Sequence, residues 1–185
     1  MNIFAVSNQK GGVGKTTTTV NLAASLVAKK KKVLLIDLDP QGNATSGSGL
    51  NKSKITKSIY DVLIGRENIT NVIQNSPESF FDIVPATQSL AGAEVELVDI
   101  DDREYILKKQ LSKIKNYDYV LIDCPPALSL LTLNALVSAN SVLIPMQCEY
   151  YALEGLSDLV NTIKKVKKHL NPQIEIEGLL RTLFD

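Results

Sequence analysis

Short apolar runs alternate along the chain with segments whose apolar residues recur at helical spacing. The apolar runs lie at residues 3–6, 33–36, 80–84, 119–123, 141–145 and 174–180. Continuous runs rich in β-branched residues are typical of strands that a parallel sheet buries on both faces. The intervening segments predict helices at residues 20–27, 59–64, 101–114, 128–139 and 156–170. The alternation predicts an α/β fold, in which a mostly parallel, twisted sheet carries helices on both faces.

The length of the chain sets its domain organisation. The 185 residues are enough for one domain with a sizeable core, so residues 1–185 are predicted to form a single domain. Residues 42–58 are rich in Gly, Ser, Asn and Lys and predict a mobile loop. Residues 66–100 give few signals apart from the apolar run at 80–84, so no helix is assigned there.

Composition removes several classes of function. Lys and Arg number 20, as do Asp and Glu, so the net charge is zero and does not indicate nucleic-acid binding by itself. No apolar run approaches the ~20 residues of a membrane span. Cys124 and Cys148 lie far apart and lack C-x-x-C spacing. This pattern predicts a reducing cytoplasm and neither a disulfide framework nor a zinc site.

A glycine-rich segment joins the first predicted strand to the first predicted helix. It reads Lys10-Gly11-Gly12-Val13-Gly14-Lys15-Thr16-Thr17. Glycines let the backbone turn tightly, and the start of a helix adds unpaired N–H groups, so such a loop can hold an anion. In phosphate-binding loops the lysine reaches the β- and γ-phosphates and the hydroxyl ligates Mg²⁺. The segment therefore predicts a P-loop NTPase fold, with these roles for Lys15 and Thr16.

The match to the general motif G-x-x-x-x-G-K-[ST] is incomplete. Gln9 occupies the position of the first glycine, and a second lysine, Lys10, comes directly before Gly11. Because Lys15 already serves the phosphates, Lys10 has no evident role inside one subunit. A glycine-rich turn without a ligand is the alternative interpretation. The strand before the loop and the helix after it argue against that alternative, because they are the context that the motif requires.

Two predicted strands end in acidic residues. The run at 33–36 leads into Asp37 and Asp39, and the run at 119–123 closes on Asp123. Acidic groups at the carboxyl ends of such strands face the crevice where open α/β sheets bind ligands. P-loop nucleotide sites use such an aspartate to hold the Mg²⁺ shell, which predicts that role for Asp123. A surface aspartate at a strand end is the alternative, and the glycine-rich segment weakens it.

Two clusters of lysines bear on DNA binding. Residues 29–32 are four consecutive lysines after the first helix, while Lys164, Lys165, Lys167 and Lys168 lie on the outer face of the last helix. Either cluster could contact DNA phosphates. Cations at a helix C-terminus explain the first cluster better, because they oppose the helix dipole. A solvated helix face explains the second better, since no aromatic or groove-reading element accompanies it.

These motifs together resemble a known family. The glycine-rich segment is similar to that of the deviant Walker A ATPases of the ParA/Soj–MinD group. Three further stretches resemble the ParA/Soj chromosome and plasmid partition proteins, namely residues 37–45 (DLDPQGNAT), 121–126 (LIDCPP) and 145–156 (PMQCEYYALEGL). The resemblance extends over nearly the whole chain.

The resemblance implies an ATP-binding and ATP-hydrolysing dimerisation switch that partitions a chromosome or plasmid. Residues 10–17 would bind ATP, and Thr16, Asp39 and Asp123 would hold Mg²⁺, with Asp123 acting through water. In the homodimer that forms on ATP binding, Lys10 would reach the partner's nucleotide, as an arginine finger does in other phosphoryl-transfer enzymes. Asp39 would orient the attacking water. Lys10, Lys15 and Asp39 are therefore the expected catalytic residues.

The resemblance also implies partners and a location. In this family the ATP dimer binds DNA without sequence preference, and a ParB/Spo0J-type protein stimulates slow hydrolysis. A cytoplasmic, nucleoid-associated protein without membrane attachment is expected. Family members are usually longer, so the domain is expected to be incomplete at its C-terminus. The residues that contact adenine and most of those that contact DNA are then expected beyond residue 185.

Three other functions remain as alternatives. A MinD-like, membrane-associated spatial regulator would need a C-terminal amphipathic helix in the membrane surface. A metabolic P-loop ligase of the dethiobiotin synthetase type would need a pocket for a small molecule. An iron–sulfur carrier related to the nitrogenase iron protein would need thiolates at a dimer seam, and Cys124 and Cys148 make weak candidates for these.

Overall fold

The computed structural model describes residues 1–77, 80–148 and 152–182. Within these ranges, seven strands form one sheet: Asn2–Val6 (β1), Val33–Asp37 (β2), Gln74–Asn75 (β3), Asp82–Val84 (β4), Tyr119–Asp123 (β5), Ser141–Gln147 (β6) and Glu175–Thr182 (β7). The helices there are Lys15–Ala28 (α1), Asn43–Gly47 (α2), Ile59–Leu63 (α3), Leu90–Glu96 (α4), Ile106–Leu111 (α5), Leu130–Ser138 (α6) and Ala152–His169 (α7). Short 3₁₀ turns occupy Lys52–Lys54, Ile69–Asn71 and Arg103–Tyr105.

The sheet has the strand order β3-β4-β2-β5-β1-β6-β7. Its strand pairs are parallel except for β3 with β4, which are antiparallel. The predicted mostly parallel α/β sheet is therefore confirmed. Strands β1 and β2, which α1 connects, are not neighbours in the sheet, because β5 lies between them.

Alternate residues of the central strands pack on opposite faces of the sheet. Leu35 and Leu121 belong to a cluster that includes Ala23 of α1. Ile36 and Ile122, their chain neighbours, belong to a larger cluster with residues of α3 to α7. Because a strand is buried on both faces, its sequence is continuously apolar, which explains the unbroken runs in β2 and β5. The predicted helices on both faces are thus confirmed.

The register of the sheet brings the carboxyl ends of three strands together. Asp37 at the end of β2 lies opposite Asp123 at the end of β5. Val6 at the end of β1 pairs with the same aspartate on its other side. The glycine-rich segment follows β1, so it begins at the edge of the sheet where both acids lie.

The predicted mobile loop at 42–58 is wrong for part of its length. Asn43–Gly47 forms helix α2, and Lys52–Lys54 forms a 3₁₀ turn. The polar residues that made this segment look like a loop are used in buried hydrogen bonds. Thr45 is fully buried and bonds to Asp37, while the buried Ser48 hydroxyl donates to the Ala44 carbonyl oxygen.

Two predicted starts of elements are also corrected. The helix predicted from Asp101 begins at Ile106 after a 3₁₀ turn, because Asp102 adopts a left-handed φ of 55° that a helix cannot contain. The strand predicted from Phe80 begins at Asp82, because Phe80 also has a left-handed φ, of 58°. Of the stretch 145–156, residues 149–151 lie outside the described part of the chain.

The remaining boundaries differ by a few residues. Helix α1 starts five residues before its predicted start, and α7 starts four residues before. Helix α6 begins two residues later than predicted, after Ser129 at its N-cap. In the described ranges, no helix combines the length and the apolar character that crossing a membrane requires.

Candidate functional site

The glycine-rich segment forms a tight loop between β1 and α1. Gly12 and Gly14 have φ values of 75° and 86°, in the left-handed region that favours glycine. Gly14 is the N-cap of α1, so Lys15 and Thr16 begin the helix. The first amides of a helix lack intrahelical acceptors, and the dipole makes this end positive. The geometry of the loop is therefore suited to holding an anion.

Side chains from distant strands fix this loop. The Thr182 hydroxyl of β7 donates to the carbonyl oxygen of Val13 at 2.8 Å. The Gln147 side-chain amide of β6 donates to the carbonyl oxygen of Gly12 at 3.3 Å. The Asn8 side chain donates to the Pro145 carbonyl oxygen at 2.7 Å and accepts the Lys10 N–H at 3.0 Å. The bonds from Thr182 and Gln147 engage carbonyl groups of the loop, so the amides of residues 11–17 can point toward a ligand.

Lys15 lies deep in the site. Its side chain is buried, and Nζ donates to the Lys10 carbonyl oxygen at 3.0 Å. Burial lowers the pKa of this amine from its ordinary value, while the charges of Asp123 and Asp39 oppose that shift. A partly desolvated cation is stabilised by an anionic ligand. Lys15 thus occupies the place that a phosphate-binding lysine needs.

The structure brings together Thr16 and Asp123, the two residues for which the sequence predicts a role in Mg²⁺ binding. The Thr16 hydroxyl donates to Asp123 Oδ2 at 2.7 Å. Asp123 is fully buried, and burial, followed by the charge of Asp37, raises the pKa of its carboxyl to about 7. Thr19 Oγ1 lies 3.1 Å from Asp123 Oδ1 and 2.8 Å from the Lys15 carbonyl oxygen, so two hydroxyls hold the carboxylate.

These groups fit a magnesium ion. Mg²⁺ takes oxygen ligands and keeps several of its waters, so few protein ligands suffice. The Thr16 hydroxyl supplies one oxygen at the start of α1, beside the phosphate-binding loop. The Asp123 carboxylate accepts a hydrogen bond from that hydroxyl. This contact fits a residue that acts on the ion indirectly, through water or through Thr16.

Asp39 does not join Thr16 and Asp123 through a hydrogen bond in the described residues. Its Oδ1 accepts the N–H of Gln41 at 2.9 Å, and its carbonyl oxygen accepts the N–H of Gly42 at 2.8 Å. The side chain therefore belongs to a turn after β2, at the edge of the site. Its charge still acts on Lys15, where it opposes the lowering of the pKa of that amine.

Asp37 is a functional candidate that the sequence reasoning did not select. It is fully buried, and Oδ2 accepts the backbone N–H of Thr45 at 2.7 Å and its hydroxyl at 2.6 Å. Its Oδ1 accepts the N–H of Asp39 at 3.2 Å. Burial raises the pKa of this carboxyl to about 6, although the bonds from Thr45 oppose the shift. Asp37 therefore anchors the turn that carries Asp39.

Sequence signals for the missed residues exist but are weak. Asp37 closes its strand as Asp123 closes β5. Thr19 follows Thr16 by three positions, so both hydroxyls lie on one face of α1. Thr182 gives no signal, because its contact with Val13 depends on how β7 is placed beside β6.

The loop, the buried lysine and the hydroxyl–carboxylate pair define a P-loop nucleotide-binding protein. A family model described as "AAA domain" matches residues 1–176. Sporulation initiation inhibitor protein Soj of Bacillus subtilis is 55% identical over 184 residues, which cover 99% of this chain and 70% of that protein. Chromosome partitioning protein ParA of Myxococcus xanthus is also 55% identical, with 99% of this chain and 65% of that protein covered. The chain belongs to the ParA/Soj family of partition ATPases.

Solved structures agree with this assignment. A cobyrinic acid a,c-diamide synthase from Mycobacterium smegmatis, with an ATP analogue and magnesium bound, is similar with a TM-score of 0.97 and 41% identity. The match covers 100% of this chain and 76% of that one. A plasmid partition protein from Borrelia burgdorferi is similar with a TM-score of 0.83 and 34% identity, covering 100% of this chain and 79% of that one.

Proposed function

We propose that this chain is an ATP-dependent dimerisation switch for chromosome or plasmid partitioning, which binds DNA without sequence preference in its ATP state. The observation that carries the proposal is the arrangement of Lys15, Thr16 and Asp123 around the loop after β1. The names of the relatives, Soj and ParA, support the partitioning role. The neighbour with an ATP analogue and magnesium supports ATP and Mg²⁺ as the ligands.

The residues of the loop divide the work of binding. The amides of residues 11–17 donate to the phosphate oxygens, and Lys15 places its charge at the β- and γ-phosphates. The Thr16 hydroxyl would ligate the metal, and Asp123 would orient that hydroxyl and accept hydrogen bonds from water around the ion. When bound, Mg²⁺ neutralises the charge that develops on the phosphates. Catalysis of this kind depends on position and electrostatics.

Asp39 and Lys10 complete the proposed hydrolysis site. The turn that carries Asp39 is tied to Asp37, so its carboxylate is held at the edge of the phosphate site, where it can orient a water. Lys10 lies at the start of the loop, and its carbonyl oxygen accepts the bond from Lys15. We assign the Lys10 amine to the nucleotide of the partner subunit, where a positive charge in trans stabilises the transition state.

The wider assignment follows the family. Hydrolysis is slow alone and is stimulated by a ParB/Spo0J-type protein. The proposed location is the cytoplasm, with the ATP dimer on the nucleoid. The residues that contact adenine and DNA are not assigned to positions in this chain.

A matched pair of lysine variants tests the proposal. Lys15→Ala is expected to weaken ATP binding by roughly 10- to 100-fold, since a charge-assisted hydrogen bond contributes about 1.5–3 kcal/mol. Lys10→Ala is expected to leave ATP binding by the monomer intact and to abolish ATP-dependent dimers. Calorimetry with ATP and Mg²⁺ measures the first property, and sedimentation measures the second.

The exposed Lys164→Ala of α7 is the control and should match the wild type in both assays. Unchanged ATP affinity in Lys15→Ala would remove Lys15 from the site. Normal ATP-dependent dimers in Lys10→Ala would disprove the assignment in trans.

A metabolic P-loop ligase is the second candidate, and one observation favours it. The 41% identical structural neighbour carries the name cobyrinic acid a,c-diamide synthase. A ligase would turn over ATP only with its small-molecule acid, whereas the proposed switch turns over ATP alone. ATP hydrolysis measured with and without cobyrinic acid as the probe separates the two functions.

A further inference from the structure

An apolar groove lies on the surface away from the residues assigned above. It is a cavity of about 660 Å³ between the end of α4, the start of α6 and the outer part of α7. Its apolar walls are Val98, Leu128, Leu130, Leu133, Leu136 and Leu170. Two acidic side chains, Glu94 and Glu104, also line it, together with Arg103. We call this cavity the α4–α6 groove.

The apolar rim of the groove is exposed. Val98 and Leu128, which line it, are 54% and 39% exposed. Val95 and Ile100, close to Val98 in the chain, are 77% and 38% exposed. A single exposed apolar residue needs no explanation, but a group of them beside an apolar cavity marks a surface that binds something.

The segment that forms the rim is strongly acidic. Residues 94–104 contain six acidic residues and one basic residue, Arg103. The Arg103 guanidinium donates to the Val98 carbonyl oxygen, so the one basic side chain is engaged in the rim itself. In the part of the chain that the structure describes, no hydrogen bond or ion pair engages the carboxylates of Glu94, Asp99, Asp101 or Glu104. The groove therefore presents negative charge around an apolar floor.

We propose that the α4–α6 groove binds a basic amphipathic helix of another protein. Amphipathic helices lay their apolar face into hydrophobic grooves, and opposite charges at the rim add specificity and speed of association.

A second copy of this chain is a poorer occupant. Its own basic amphipathic helix is α7, which carries Lys164 and Lys168 on its exposed side. The apolar side of α7 is already used, since Leu159, Ile163 and Val166 are buried in the core. That helix cannot enter a neighbour's groove without leaving its own fold, which argues against a second copy as the occupant.

A peptide-binding assay tests the proposal without nucleotide, so it is independent of the proposed ATPase activity. The probe is a labelled synthetic peptide with leucines at helical spacing and lysines elsewhere. We expect fluorescence anisotropy to show binding that weakens with salt. The double variant Glu94→Lys/Glu104→Lys and the single variant Val98→Ser are each expected to weaken it about 10-fold or more.

The matched control has the same change of charge at another exposed place. Glu175→Lys/Glu177→Lys on β7 should leave the peptide affinity within about twofold of the wild type. A peptide with glutamates in place of the lysines should not bind. Circular dichroism melts check that each variant folds.

Several results would overturn the proposal. These are no binding of the lysine peptide, equal losses in the rim and β7 variants, or unchanged affinity in Val98→Ser. Loss of self-association in Val98→Ser with unchanged peptide affinity would assign the groove to a second copy of the chain.

Discussion

The turn that carries Asp39 is fixed by individual side chains on two sides. On one side, Asp37 accepts the N–H of Asp39 and both polar hydrogens of Thr45. On the other side, Lys52 Nζ donates to the Gln41 carbonyl oxygen at 2.8 Å. The Thr45 hydroxyl also accepts the N–H of Ala86 at 2.9 Å, which ties the turn to the segment after β4. The position of Asp39 thus depends on residues outside the phosphate-binding loop.

Asp39 gives the first prediction at the residue scale. Asp39→Ala and Asp39→Asn are both expected to slow ATP hydrolysis by ~10²-fold or more, because both remove the carboxylate that orients water. Asparagine keeps an oxygen for the Gln41 N–H, so only the alanine variant should also disturb the turn. Phosphate release assays and ATP affinity measure the two effects. A normal rate in Asp39→Asn would limit Asp39 to a structural role.

Gly42 gives the second prediction at the residue scale, because a side chain there would crowd Lys52 and the Ala86 carbonyl oxygen. Its φ is 62°, and a Cβ would lie 2.9 Å from Lys52 Cδ and 3.3 Å from the Ala86 carbonyl oxygen. Gly65 has a similar φ of 78° with nothing near a Cβ. We expect Gly65→Ala to cost about 1 kcal/mol for backbone strain alone, and Gly42→Ala about 2–3 kcal/mol. Urea unfolding measures both, and equal costs would contradict this account.

At the scale of elements, the residues that follow α7 also stabilise the end of another helix, α6. The last helix was predicted to end at residue 170, and the structure ends α7 at His169. The Asn171 side chain also donates to the Leu136 and Ala139 carbonyl oxygens, at 3.1 and 2.8 Å. It therefore satisfies carbonyls at the end of α6, which would otherwise be buried without a donor.

Asn171→Ala is expected to destabilise the protein by about 1–3 kcal/mol, the cost of leaving buried acceptors unpaired. Asn21→Ala is the control, since its amide donates to the Thr17 carbonyl oxygen on the exposed side of α1. The control should cost less than about 0.5 kcal/mol. Thermal melts compare the two variants. A cost for Asn171→Ala no larger than that of the control would show that α6 does not need this cap.

The elements that could be predicted are those whose own residues determine them. Strands β2 and β5 are continuously apolar, so their positions follow from the sequence to within one residue. Helix α2 could not be predicted, because its residue Thr45 bonds to Asp37 at the end of β2 and to Ala86, which lies 41 residues further along the chain. The late start of α5 depends on the backbone of Asp102, which periodicity does not report.

At the scale of the whole molecule, the fold class and the phosphate site follow from local motifs. The loop, Lys15, Thr16 and Asp123 were predicted because each lies in a recognisable pattern. The position of Asp37 beside Asp123 could not be predicted, because the pairing of β2 with β5 is set by strand order. The same strand order places Asp37 and Asp123 side by side at the carboxyl ends of their strands, where both are buried, and this affects stability.

This pair predicts how stability depends on pH. Burial holds the folded-state pKa of Asp37 at about 6 and that of Asp123 at about 7, above their ordinary value of 3.8. Between the unfolded and folded pKa values, the folded protein binds more protons than the unfolded chain. The free energy of unfolding is therefore expected to fall as pH rises from about 4 to 7 and then to level off. A difference of one unit between the folded and unfolded pKa of a group corresponds to about 1.4 kcal/mol. The total change in the free energy of unfolding is therefore several kcal/mol at most.

Urea midpoints measured between pH 5 and 8, without nucleotide and with EDTA, check this expectation. Asp123→Asn should flatten the curve, because it removes the carboxyl group whose pKa is raised further. The same measurement on Asp118→Asn, a change at an exposed acid on the opposite edge of the sheet, should keep the wild-type slope. Stability that rises with pH across this window would mean that both carboxyls are ionised in the folded protein. The hydrogen bonds from the Thr16, Thr19 and Thr45 hydroxyls would then lower the pKa of the two carboxyls by more than burial raises it.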